Sequence, residues 1–174
     1  MVRHTTPMVA DGVCYGRTDL DVARTFEPEA EAVLAQLPDT ARIVSSPLKR
    51  CIRLADHLSR HRQIPVEIDV RLVEMNFGAW EGLAWTDVPR PELEAWASDF
   101  FNACPHGGES VAELKARVDE AVDEIRSTDR PTVIVTHAGV IRAALAKGEQ
   151  AHHFQTEINF GGMIHLPQTN EVHR

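Results

Sequence analysis

Three short stretches of the sequence set basic side chains beside groups of catalytic use. They are Arg3-His4, Ser45-Ser46 leading into Lys49-Arg50, and Thr136-His137. Two imidazoles and several guanidinium groups make an anion site, because the planar fork of arginine matches phosphate oxygens. A neutral imidazole is a competent nucleophile toward phosphorus. His4 or His137 could therefore take a phosphoryl group while the arginines balance its charge. Expelling an ester oxygen also needs an acid. The stretch "RLVEMNFGAWEGLAW" supplies Glu74 and Glu81 among Phe77, Trp80 and Trp85, and aromatic surroundings favour the proton-donating form of a carboxyl.

These residues lie far apart in the chain, so regular elements must gather them. "EPEAEAVLAQL" (Glu27–Leu37) reads as a helix, with Pro28 near its start and Pro38 just after it. "ARIVSS" (Ala41–Ser46) is a short β-branched run before a proline and reads as a buried strand. A helix opening at Pro47 follows, its apolar face made by Leu48, Cys51, Ile52, Ala55 and Leu58. "VEIDV" (Val66–Val70) suggests a second strand, and residues 91–101 a helix. In "ESVAELKARVDEAVDEIRS", Val111, Leu114, Val118, Ala121, Val122 and Ile125 form one apolar stripe. Thr132–Thr136 is continuously apolar or β-branched, as in a strand covered on both faces, and a helix ending at Gly148 follows it. "GGMIHLP" reads as an edge strand. Strands alternating with helices predict one α/β domain over residues 1–174, with a mostly parallel central sheet and helices on both faces. Ligands of such sheets bind beyond the carboxyl ends of the strands, which is where all three basic stretches fall. The first strand is expected to be short, because only two residues, Met1 and Val2, precede the Arg3-His4 pair.

Composition narrows the classes. The formal net charge is -8, which argues against nonspecific nucleic-acid or anionic-membrane surfaces. No segment is long and apolar enough to span a bilayer, and no secretion-signal pattern opens the chain. Cys14, Cys51 and Cys104 are scattered and read as reduced thiols, which predicts a cytoplasmic protein. No cysteine has an arginine six residues on, so the phosphate loop of a cysteine phosphatase is excluded. "DLDVA" resembles an aspartate-nucleophile site but lacks the apolar strand before it and ends in Ala23. "HLSRH" sets His57 and His61 one helical turn apart, a metal-ligand spacing. No third ligand is evident in the sequence, and the stretch is read as a helix face.

Taken in order, the motifs resemble the histidine phosphatase superfamily, whose fold is that of phosphoglycerate mutase. "VRHTTP" is similar to its Arg-His opening, "SSPLKRCIRLA" to its second arginine motif and "RLVEMNFGAWEGL" to its glutamate segment. "GGES" and "VTHAGVIR" complete the set over nearly the whole chain. Within it, "RHTTPMVADGVCYGRTDLDV" resembles the α-ribazole phosphatase branch of cobalamin synthesis. The resemblance implies a phosphomonoesterase in which His4 forms a phosphohistidine. Arg3, Arg50 and His137 would hold the transferred phosphoryl group, and Glu74 would protonate the leaving alcohol and then activate water. Arg17, Glu109 and Ser110 would lie toward the rest of the substrate, a small phosphorylated metabolite such as α-ribazole 5′-phosphate. No metal or cofactor is implied, since arginine and histidine supply the electrostatics. Two departures stand out. The family glycine after His4 is Thr5, and the family asparagine six residues after it is Ala10, which removes one phosphate donor. They leave open a phosphate-ester binding protein of weak activity, beside a phosphatase of broad specificity. The oligomeric state is not legible.

Overall fold

The computed structural model describes residues 1–128 and 130–166. Four strands form one sheet in the order β1-β4-β2-β3. They are β1 (Val2–Arg3), β2 (Arg42–Ser45), β3 (Val66–Ile68) and β4 (Thr132–Thr136). Every pairing is parallel, with Val2 opposite Val135, Ile43 opposite both Val66 and Val133, and Val44 opposite Ile134. Five helices accompany them: α1 (Phe26–Gln36), α2 (Lys49–Arg62), α3 (Arg90–Ser98), α4 (Val111–Arg126) and α5 (Ala138–Leu145).

Alternation along the strands explains the layers. Val2, Ile43, Val133 and Val135 point to one face and pack with Phe26, Ala30 and Val33 of α1 and with Leu54 and Leu58 of α2. Val44 and Ile134 point to the other, against Leu114, Val118 and Val122 of α4 and Val140 and Ile141 of α5. A smaller cluster of Cys14, Trp80 and Val88 with Leu93 and Trp96 ties α3 to the loops above the sheet.

The sequence expectations differ from the structure at several ends: β3 stops at Ile68, short of Val70, because the Asp69 side chain caps a tight turn that starts there, and α3 ends at Ser98, short of residue 101. Helix α5 stops at Leu145, before Gly148, because Ala146 turns into extended backbone and is itself buried. "GGMIHLP" is no regular strand among the described residues, and Pro167 lies outside them. Met163 instead makes an isolated antiparallel bridge to Val2. Around it, Ile164 N–H donates to the Met1 carbonyl at 2.8 Å and Arg3 N–H to the Gly162 carbonyl at 3.0 Å. The first strand is short, as expected, but it is pinned on both edges, by β4 and by this returning segment.

Candidate active site

Strand order brings the predicted stretches together. β1, β4 and β2 are neighbours, so the residues just past their carboxyl ends, His4, His137 and Ser46, stand side by side. His4 N–H donates to the Thr136 carbonyl at 2.9 Å, and Ser46 N–H to that of Val135 at 3.0 Å. The rings of His4 and His137 meet edge to face with centroids 5.2 Å apart, and both residues are buried.

His4 Nδ1 lies 2.7 Å from the carbonyl oxygen of Thr5. A carbonyl only accepts, so Nδ1 carries the proton and Nε2 carries the lone pair. Burial, then the Arg50 charge, push the His4 pKa down to about 3, against the Thr5 hydrogen bond that raises it, with Arg3 adding a further lowering. The ring is therefore neutral at ordinary pH. His137 sits deeper, Nε2 at 2.8 Å from Ser46 Oγ. Burial first, then electrostatic coupling to His4, which disfavours protonating both rings together, and the Arg50 charge hold its pKa well below the usual histidine range.

Cationic groups surround the pair. Arg3 Nη1 donates to the Ile158 carbonyl at 2.6 Å, and its guanidinium stacks 3.8 Å above the Phe160 ring. Arg50 is fully buried and donates to the carbonyls of Gly16 and Thr18 at 2.7 and 2.8 Å. Three buried polar atoms here have no hydrogen-bond partner: Arg3 Nε, Arg50 Nε and Thr5 Oγ1. Orphaned buried donors are costly, about 1–3 kcal/mol each. Their gathering on the chain neighbours of His4 and on the arginine whose charge reaches it is the signature of a site built for an anion.

Glu74 reaches the same place from the loop after β3. Its Oε1 accepts from Met75 N–H at 2.9 Å, and its Oε2 from Gly139 N–H, in the first turn of α5, at 3.0 Å. Arg117 of α4 secures that loop, donating to the carbonyls of Val73 and Glu74 at 2.7 and 3.2 Å. Arg3, His4, Glu74 and Gly139 line one end of a cleft of about 280 Å³. Phe77, Trp85, Trp96, Phe100 and Phe154 line the remainder, with Arg142 on the wall. Trp80 is buried in the loop core, whereas Trp85 and Trp96 also face the cleft.

The remaining predicted residues lie off the cleft lining. Glu109 is clamped by Arg117, Nε to Oε1 at 2.6 Å and Nη2 to Oε2 at 2.8 Å. Arg17 reaches the same carboxylate at 3.4 Å from a half-exposed position. Ser110 caps α4 in a reciprocal pair with Glu113, the Ser-x-x-Glu pattern of a capping box. Glu81 is structural. It accepts from the backbone of Arg17, Thr18 and Phe77 and from the Thr18 hydroxyl. Sequence reasoning missed Tyr15 and Phe160, which flank Arg3, and Arg117. Residues 151–159 were opaque in the sequence, yet they supply the Ile158 carbonyl and the Phe154 wall.

Comparison with known proteins places this geometry. A family model described as the histidine phosphatase superfamily (branch 1) matches residues 1–166. A glucosyl-3-phosphoglycerate phosphatase of Mycolicibacterium vanbaalenii is 34% identical over 162 residues, 84% of this chain and 71% of that one. An adenosylcobalamin/alpha-ribazole phosphatase of Escherichia coli is 28% identical over 136 residues, covering 72% and 67%. The native structure of a mycobacterial glucosyl-3-phosphoglycerate phosphatase superposes with a TM-score of 0.80 at 29% identity, over 92% of this chain and 85% of its own.

Proposed function

The chain belongs to the histidine phosphatase superfamily (branch 1), and we propose that this phosphomonoester hydrolase works through a phosphohistidine on His4. The observation that carries the assignment is the set of orphaned donors on Arg3, Thr5 and Arg50 around a buried, neutral imidazole. A bound phosphoryl group satisfies all three. It also brings negative charge to the two guanidinium groups whose field depresses the His4 pKa.

His4 Nε2 attacks phosphorus in line with the ester oxygen. The N–P bond forms as the P–O bond breaks, and the Glu74 carboxylic acid gives its proton to the departing alkoxide. Water then attacks the phosphohistidine. Glu74 takes the proton of that water, the N–P bond breaks, and inorganic phosphate leaves. Arg3, Arg50 and His137 hold the equatorial oxygens, where charge concentrates in phosphoryl transfer. The Thr5 carbonyl fixes the His4 tautomer throughout. Thr5 Oγ1 stands in for the phosphate donor lost at Ala10, an exposed residue here. Arg17, paired with Glu109, is assigned to the non-transferred part of the substrate, with Ser110 at the start of α4 beside Glu109.

The aromatic lining supports an ester with a flat apolar leaving group, so α-ribazole 5′-phosphate is the first candidate. The second is glucosyl-3-phosphoglycerate, supported by Arg142 on the cleft wall as a partner for its carboxylate. The test is a phosphomonoester panel containing both, with an alkaline detergent quench for a base-stable phosphoenzyme that is then lost on acid treatment. Turnover and label, both lost in His4→Ala, are expected. Binding without either would mean a phosphate-ester binding protein instead.

A further inference from the structure

Away from the cleft lining, two pairs of residues face each other across the contact between α1 and α2. Glu27 and Glu31 stand one turn apart on α1, and His57 and His61 one turn apart on α2. We infer that Glu31, His57 and His61 form a transition-metal site, with Zn²⁺ as its fitting ion. The third ligand absent from "HLSRH" comes from the neighbouring helix.

The donor atoms of the three residues all lie within 4.8 Å of one another. Glu31 Oε1 is 3.2 Å from His57 Nε2 and 3.9 Å from His61 Nε2. Ligand atoms on a tetrahedral zinc ion stand roughly 3.3 Å apart, given bonds of about 2.0 Å. Small side-chain rotations suffice to close the site around an ion. His57 provides the independent sign of a ligand. Its side chain is only 4% exposed, and its Nε2 has no hydrogen-bond partner, despite the nearby carboxylate, because the contact lacks hydrogen-bond geometry. A buried ring nitrogen that faces a carboxylate and another imidazole without bonding either is placed to bind a cation.

The outer ring nitrogen of His61 is hydrogen-bonded as a metal-bound histidine requires, and that of His57 has a carboxylate within reach of a side-chain rotation. His61 Nδ1 is 2.9 Å from the His57 carbonyl. It must donate there, which leaves the lone pair on Nε2, the atom facing Glu31. His57 Nδ1 points to Glu27 Oε2 at 4.0 Å, a carboxylate behind the ring. Histidine ligands typically donate their second N–H to such a carbonyl or carboxylate. Two imidazoles and one carboxylate suit zinc better than calcium or magnesium, which prefer oxygen shells. The fourth position opens to solvent beside Glu31 and His61, which are 59% and 45% exposed.

The site is separate from the reaction centre. Seven residues of α2, about 10 Å of helix, separate His57 from Arg50. Its effect is to clamp α1 onto α2. The inference does not depend on the phosphatase assignment.

The experiment titrates Zn²⁺ into the metal-free chain against a chromogenic chelator and follows Tm in parallel. Glu31→Gln and His61→Ala are the test variants, because both side chains are exposed and the fold tolerates their change. His152→Ala/His153→Ala is the control, since those adjacent rings are a further imidazole pair outside both sites' assigned ligands. One Zn²⁺ per chain is expected, with Tm raised by roughly 5–10 °C at a hundredfold excess over Kd. Each test variant should weaken binding by at least ~10-fold and cut the Tm rise by about half or more at the same Zn²⁺ concentration, with phosphatase turnover of the metal-free protein unchanged. The control should keep both effects. Absence of Zn²⁺ binding, unaltered binding in the two test variants, or loss confined to the control would overturn the assignment.

Discussion

Gly139 leaves open the space that the Glu74 carboxylate fills. A Cβ at position 139 would stand 2.2 Å from Glu74 Oε1, while the Gly139 N–H holds Oε2 at 3.0 Å. One residue thus both makes room for the acid and grips it.

Gly139→Ala should therefore displace Glu74 without unfolding α5, where alanine is the better helix former. With an alkyl phosphate we expect kcat to fall about 10²-fold, the scale of general acid–base catalysis. With p-nitrophenyl phosphate, whose leaving group needs no proton, phosphoenzyme formation should fall much less. Burst kinetics on the two esters measure the split, and equal losses would show that Glu74 is no acid.

Thr5→Val should shift two quantities in opposite directions. Removing an orphaned buried hydroxyl should raise the stability of the free protein by about 1 kcal/mol. Losing a donor to an anion should weaken inhibition by inorganic phosphate about tenfold, equivalent to about 1.4 kcal/mol. Denaturant melts and inhibition constants check the two signs.

The buried histidines set an acid limit on stability. His4 titrates at about 3 when folded and near 6.5 when unfolded, and the His137 pKa is also lowered on folding. Between these values the unfolded chain binds more protons than the native one. Stability therefore falls as pH drops from about 6.5 toward 3, and is unaffected by these groups above 6.5. Each such histidine contributes about 1.4 kcal/mol per pH unit inside the window. His4→Gln should flatten the slope of unfolding free energy against pH by one proton. A slope equal to wild type would mean that His4 ionises normally in the fold.

Phe160→Ala removes the ring under the Arg3 guanidinium and beside His4, whose ring centroid is 5.6 Å away. A desolvated cation–π contact contributes about 0.5–2 kcal/mol. KM for a small phosphomonoester should rise by about 2- to 30-fold, with Tm changed little because Phe160 is partly exposed. Steady-state kinetics decide it, and an unchanged KM would remove Phe160 from the site.

Much of this was legible in the sequence, for identifiable reasons. Thr132–Thr136 is a strand with the expected bounds, because five consecutive β-branched or apolar residues suit a strand buried on both faces. His4, His137 and Ser46 follow directly from the strand-end rule once the strands are placed. Tyr15, Phe160 and Ile158 left no such trace. They lie in irregular segments, where no periodicity reports which way a side chain turns. Glu31 was hidden for a different reason. Its partners lie on another helix, and a one-dimensional spacing records only neighbours on the same helix. Ser110 shows the converse, since "SVAE" carried a helix-capping signal of its own.

The pinning of β1 between β4 and residues 161–164 has a temporal side. During synthesis β1 and His4 are made well before the segments that hold them. The strand that pairs with β1 arrives some 130 positions later, and the segment that seals its outer edge about 160 positions later. Contacts of such sequence separation form late, because a long loop must close before they contribute. The nascent chain therefore carries a complete Arg3-His4 pair long before the strand and the returning segment that fix its position have been made.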